Sequence, residues 1–176
     1  MSILVPLFSA LLAAGSYIRI PLGPVAITLQ TLFLFMLALL LPPKKALSSV
    51  LLYLFLGAIG FPVFTSGGGL AGILGPTGGF LIAMVPASLV GSYLARKNKK
   101  NRIAFSATIL LLMNAILYLL GLFWMAYKLN INFKSAFITG CAPFLAFDAI
   151  KISVALATSN KIYDKVESIL RNEEQN

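Results

Sequence analysis

Long apolar runs separated by short basic clusters set the pattern of this chain. A helix needs about 20 predominantly apolar residues to cross a bilayer. The pattern predicts six such helices, at roughly Ile3–Ile20, Val25–Leu41, Ala46–Ile59, Phe80–Ala95, Ile103–Trp124 and Pro143–Ile169, the last leaving the apolar layer near Thr158. Pro42 and Pro43 stop the second helix, because proline has no N–H and pushes the residue before it out of the helical region. Ser135–Cys141 reads as a short helix or a re-entrant lead-in to the sixth. The expected class is an all-α integral membrane protein, with residues 1–176 forming a single six-helix domain.

Composition strengthens this reading. Hydrophobic residues make up 59% of the 176 positions and charged residues 11%, against about 25% charged in soluble domains. A water-soluble globule of this length cannot hide so much apolar surface. The net charge of +9 suggests nucleic acid at first sight, but the basic residues cluster between apolar runs, as in the loops of membrane proteins. Histidine is absent and Cys141 is the single cysteine. An intramolecular disulfide is therefore impossible, and a zinc site of the usual His/Cys type is unavailable. Ser2–Ile18 is apolar without a basic leader, and it reads as a membrane helix instead of a cleaved signal.

Lysine and arginine predict the orientation. With the N-terminus cytoplasmic, the inside receives Lys44, Lys45, Arg96, Lys97, Lys99, Lys100, Arg102, Lys161, Lys165 and Arg171, while the outside receives Arg19, Lys128 and Lys134. The positive-inside rule selects this arrangement, which places both termini in the cytoplasm and requires an even number of spans. The charge-free stretch Ala46–Ala95 holds the Gly- and Pro-rich segment GFPVFTSGGGLAGILGPTGG (Gly60–Gly79) between the third and fourth helices. Such a backbone cannot face lipid, where each unpaired amide costs several kcal/mol. It is expected to be a structured external loop, acting as a lid or cavity wall. The C-terminal tail NEEQN is polar and expected to fray.

Chemistry concentrates near position 150. Asp148 is the only carboxylate in the first 160 residues, and Lys151 follows three positions later. Residues at i and i+3 share a helix face, and an ionisable pair inside a membrane segment marks a functional site by default. One reading is a polar ligand site, with Lys151 donating to a carboxylate and Asp148 accepting from ligand N–H groups. The plainer alternative is a self-neutralising pair that fixes helix packing. Proton coupling through Asp148 is a weaker option, because the membrane segments offer no second acidic relay.

Other positions carry fainter signals. Thr28 and Gln30 are polar at the start of the second helix, and Gln30 offers both a donor and an acceptor. Arg19 at the end of the first helix is expected to snorkel to headgroups. In GPTGG (Gly75–Gly79), backbone amides of Gly75 and Gly78 together with Thr77 form an anion- or carbonyl-binding turn, or else a tight turn for close packing. It lacks the Lys-Ser/Thr of a nucleotide-binding loop. Ala10 and Ala14 lie four apart and allow close approach of another membrane helix, from a partner subunit or from within the chain. Asn114 and the Phe and Trp side chains read as packing or interfacial anchors.

Four blocks carry a resemblance over nearly the whole chain: PLGPVAITLQT (Pro21–Thr31), GAIGFPVF (Gly57–Phe64), GGGLAGILGPTGGF (Gly67–Phe80) and APFLAFDAIK (Ala142–Lys151). Together they resemble the BioY family, the biotin-specific substrate-binding subunit (S component) of energy-coupling factor (ECF) transporters. The resemblance implies six membrane helices, biotin capture at the outer face of a prokaryotic cell membrane, and no enzymatic activity. It also implies docking to a module of one transmembrane coupling protein and two ATPases. No cofactor is implied: biotin is cargo, and ATP is bound by the partners alone.

By the same resemblance, Ala10 and Ala14 match the AxxxA docking element, Asp148 and Lys151 match the Asp and Lys near the start of the last helix, and Gly75–Gly79 matches the GPTGG loop. Two departures stand out. Ala26 replaces a frequent proline, and Ala146–Phe147 replaces a frequent Pro-Gly, which leaves the start of the last helix less sharply defined. Biotin would place its carboxylate on Lys151 and its ureido N–H groups on Asp148. The exchanged assignment stays open, as does a carboxylate contact from Arg19 or a loop amide. Also open are the same fold binding thiamin or riboflavin, a stand-alone proton-coupled transporter, and an integral membrane enzyme, the last disfavoured by the lack of histidine.

Overall fold

The computed structural model describes residues 2–22, 25–97 and 103–175. Lys99, Lys100 and Arg102, counted above for orientation, lie outside the described residues, as do Gly23 and Pro24 of the first family block. The chain is mostly helical. In order it forms α1 (Leu4–Tyr17), a hairpin of β1 (Arg19–Leu22) and β2 (Val25–Thr28), α2 (Gln30–Leu40), α3 (Pro43–Ala58), the short α4 (Leu70–Leu74), α5 (Gly78–Lys97), α6 (Ile103–Leu129), α7 (Phe133–Gly140), a 3-10 turn at Ala142–Phe144, and α8 (Leu145–Gln175).

Most helix ends follow from local chemistry. Leu41 is extended before Pro42, as a residue preceding proline must be, and Pro43 opens α3, where its missing N–H costs nothing. The Asn132 side chain caps α7 by accepting from the Ser135 N–H at 2.8 Å. The short-helix reading of Ser135–Cys141 is therefore realised as α7. α8 runs through Gln175 and takes in most of the polar tail.

The sequence expectation also fails at the junction of the first two helices. Helix was expected through Ile20 and again from Val25, but residues 19–28 form an antiparallel hairpin with Arg19 opposite Thr28 and Leu22 opposite Val25. Ile18, Ile20, Val25, Ile27 and Thr28 are β-branched and favour extended backbone, and Pro21 cannot donate within a helix. Pairing the two short strands satisfies backbone groups that would otherwise be orphaned.

α2 sits at the centre, against α1, α5 and α8, with Leu34, Phe35, Leu37 and Ala38 fully buried. α5 and α6 form the most extensive helix pair. Small residues set their spacing: a Cβ on Gly91 would lie 2.2 Å from Met113 Sδ, and one on Gly121 would lie 2.3 Å from the Phe80 ring. Large apolar side chains such as Leu111, Phe123 and Ile150 face outward, as lipid contact allows and water does not.

Three helical stretches are long and apolar enough to cross a membrane: Gly78–Lys97, Ile103–Leu129 and the nearly continuous Phe133–Glu173. α1 and α2 are shorter apolar helices of 14 and 11 residues, and α3 has 16. Length alone thus accounts for three of the six expected spans, because the hairpin takes up residues that the sequence pattern gave to helices.

The Gly-rich segment between α3 and α5 is folded onto the bundle. Phe64 is 3% exposed and packs edge-on against Tyr53, with ring centroids 5.4 Å apart. It occupies the space of a missing side chain at Gly57, where a Cβ would fall 1.9 Å from the ring. Gly69 has φ +87°, favourable to glycine alone, and its N–H donates to the Gly57 carbonyl at 2.7 Å.

Candidate ligand-binding site

A cavity opens among α2, α5, α6, the start of α8 and the hairpin. Its accessible volume is about 90 Å³, and it is open to the outside at a mouth. Its walls are mainly apolar, from Val25, Phe80, Leu81, Met84, Leu117 and Phe144. Polar groups converge from Thr28, Gln30, Thr31, Thr65, Thr77, Asn114, Tyr118, Asp148 and Lys151.

The polar centre is built on the first turn of α8. Cys141 breaks the helical path after α7, and the 3-10 turn containing Pro143 leads into α8 at Leu145. Asp148 thereby falls in the first turn, where the helix dipole favours a negative charge. Ala146–Phe147, in place of Pro-Gly, leaves this start intact. Lys151 Nζ donates to Asp148 Oδ1 at 3.0 Å and to Thr31 Oγ1 of α2 at 3.0 Å. Two donors from α6 converge on Asp148 Oδ2: the Asn114 amide at 3.2 Å and the Tyr118 hydroxyl. Asp148 and Lys151 are 4% and 7% exposed. Burial of such a pair is tolerable only when both charges are compensated and hydrogen-bonded. An ammonium has three N–H donors, and two of those on Lys151 are committed within the protein. Among the described residues, no third acceptor meets the ammonium, and Lys151 lines the cavity.

Among the expected site residues, Thr28, Gln30, Thr77, Asp148 and Lys151 all line this one cavity. Gly75 and Gly78 are absent from its lining. The Gly75 carbonyl accepts from the Trp124 indole N–H at 2.9 Å, and a Cβ on Gly78 would lie 1.6 Å from the Ile73 carbonyl oxygen. Their placement is that of a tight packing turn, which leaves Thr77 as the GPTGG residue at the cavity. Ala10 and Ala14 lie on the exposed face of α1, so the small-residue pair is not consumed by packing within the chain.

Arg19 sits in β1 and its side chain donates to the Thr65 carbonyl of the Gly-rich segment. One sequence expectation is corrected. Asn114, read as packing, hydrogen-bonds the buried carboxylate. Tyr118 and Thr31 were missed altogether. The signal was present: Asn114 and Tyr118 are polar residues at i and i+4 in an apolar run and so share a face.

A helical bundle with large apolar side chains on its surface and a charged, hydrogen-bonded pair lining a mainly apolar pocket has the character of a membrane-embedded binder of small molecules. The chain belongs to the BioY family, whose family model matches residues 1–168. It is 36% identical over 160 residues to the probable biotin transporter BioY of Pyrococcus horikoshii, covering 90% of this chain and 93% of that one. It is 37% identical over 150 residues to the biotin transporter BioY of Thermotoga maritima, covering 85% and 87%. Its fold is similar to the crystal structure of the S-component for biotin from an ECF-type ABC transporter, with a TM-score of 0.84 and 29% identity over 90% of this chain and 88% of that chain. The family is one of transporters, not enzymes.

Proposed function

We propose that this chain captures biotin at the outer face of a prokaryotic cell membrane as the S component of an ECF-type importer. One observation carries the reading: a buried Lys151–Asp148 pair, braced by Thr31, Asn114 and Tyr118, lies in a mainly apolar pocket with a few further polar groups. Biotin has matching parts, namely a carboxylate, a ureido ring with two N–H donors and a carbonyl, and an apolar thioether ring and tail. The free N–H of Lys151 takes the carboxylate. Asp148, which has lone-pair capacity for about one more donor, takes a ureido N–H. Thr28, Gln30 and Thr77 supply the remaining polar contacts.

Membrane placement follows from the same reading. All six long helical segments cross, with α1–α3 held at depth by surrounding protein and by the hairpin, and the excess of Lys and Arg favours cytoplasmic termini. The segment 60–79 is then an external lid over the site. The exposed Ala10–Ala14 face of α1 docks against a coupling protein that works with two ATPases, since small residues allow close helix approach. ATP is bound and hydrolysed by those partners, and no cofactor is needed here.

Uptake of radiolabelled biotin by a biotin-auxotrophic host tests this. The chain co-expressed with an ECF module should restore uptake, and inactive ATPases should abolish it. Uptake that survives loss of the ATPases but is abolished by a protonophore would instead support the proton-coupled alternative.

A further inference from the structure

Gln30 and Tyr53 are joined by a hydrogen bond whose direction can be worked out. Tyr53, in α3, is fully buried and does not line the cavity; Gln30, 7% exposed, does. The Gln30 amide nitrogen lies 2.6 Å from the Tyr53 hydroxyl oxygen, which in turn lies 3.1 Å from the Val63 carbonyl oxygen. A carbonyl oxygen can only accept, so the single hydroxyl proton of Tyr53 points at Val63. The hydroxyl oxygen is then an acceptor toward Gln30, and only the NH₂ end of the amide suits it. The ambiguity of an amide flip is thereby removed by chemistry. Among the described residues no donor meets Gln30 Oε1, and that atom is not sealed within the protein.

We infer that Tyr53 is a positioning residue: it locks the Gln30 amide so that Oε1 faces the cavity and accepts an N–H from the ligand. This rests on the proposal that the cavity binds biotin, and it assigns one ureido N–H to Gln30 alongside the one assigned to Asp148. Without the lock, Gln30 can turn its NH₂ into the pocket and set donor against donor. The Val63 end of the relay lies in the Gly-rich segment, whose carbonyls are also held by Ser16, Tyr17 and Arg19. The position of that segment and the amide orientation are therefore linked.

A double-mutant cycle on the full-length protein tests the inference. Biotin is titrated calorimetrically into the wild type, Tyr53→Phe, Gln30→Ala and the double variant. Tyr53→Phe keeps the ring against Phe64 and removes only the hydroxyl. It should weaken biotin about tenfold, yet add nothing once Gln30 is alanine. Equal losses in both backgrounds would mean that Tyr53 acts through general structure, and would overturn the assignment. A second readout uses wild-type protein with glutamine labelled at the side-chain carbonyl carbon. Gln30 and Gln175 are its only glutamines. Biotin should shift one of the two carbonyl stretches to lower wavenumber, and that shift should be absent in Gln30→Ala. An unshifted spectrum with biotin bound would also overturn the inference. Failure of the wild type to bind biotin at all would instead count against the proposed function.

Discussion

Lys151 Nζ lies 3.0 Å from Asp148 Oδ1, one helical turn away on α8, with both side chains buried. Thr31 holds the lysine from α2, and Asn114 and Tyr118 hold the aspartate from α6. Three helices are thus tied to one pair of charges. Removing one charge leaves the other buried and uncompensated, at a typical cost of about 3–5 kcal/mol. Lys151→Ala should therefore abolish biotin binding and lower thermal stability in detergent. Pairing Lys151→Met with Asp148→Asn should recover much of the stability without the binding. Full recovery of binding in that double variant would contradict a ligand role for the pair.

Asp148→Asn keeps the shape but turns one accepting oxygen into a donor. It should weaken biotin by about 1–3 kcal/mol. Tyr118→Phe removes one donor from the carboxylate and should cost about 1 kcal/mol in binding. Titration of both variants checks the ranking, and a larger loss in Tyr118→Phe than in Asp148→Asn would place the ligand on the phenol instead.

Ala10→Leu or Ala14→Leu alters only the exposed face of α1. Biotin affinity should stay at the wild-type value, while co-purification of the coupling protein and ATPases is lost. Complexes recovered in normal yield would remove this face from the docking surface.

Gly78 separates packing from ligand contact. A Cβ there meets backbone, the Ile73 carbonyl at 1.6 Å, and not a flexible side chain. Gly78→Ala should cost about 1–3 kcal/mol of stability by overpacking. Thr77→Val leaves the turn intact and should change ligand affinity without changing the melting temperature. The opposite pattern in the two variants would exchange their roles.

The helical layout was largely legible in the sequence, because long apolar runs and proline punctuation act locally. The hairpin was not. Residues 19–28 look like helix ends by hydropathy, and only the pairing of two short β-branched strands reveals the alternative. Asp148 and Lys151 stood out because charge is rare in an apolar run. Asn114, Tyr118 and Thr31 did not, since an uncharged polar side chain in such a run can equally pack against backbone. Their meaning appears only when α2 and α6 close around α8. In GPTGG both readings had been open: Gly78 packs tightly on the Ile73 carbonyl, and Thr77 lines the cavity.

A pH effect is expected far from the site, in the charged C-terminal part of α8. Lys45 Nζ hydrogen-bonds Glu173 at 2.6 Å, which lowers the Glu173 carboxyl from its ordinary 4.5 to about 2. A lowered carboxyl favours the folded state above its unfolded pKa. That contribution is lost as pH falls from about 4.5 toward 2. Both side chains are partly exposed, so the effect is small. In Lys45→Ala, the Glu173 titration followed by carbon NMR should move back up toward 4.5; an unmoved midpoint would show that Lys45 is not the cause.

The most direct test of the central claim is calorimetric titration of the detergent-purified protein, from biotin-depleted cells, with biotin. The account predicts tight one-to-one binding by the wild type and none by a folded Lys151→Ala variant. No heat of binding from a folded wild type, or unchanged affinity in Lys151→Ala, would contradict it.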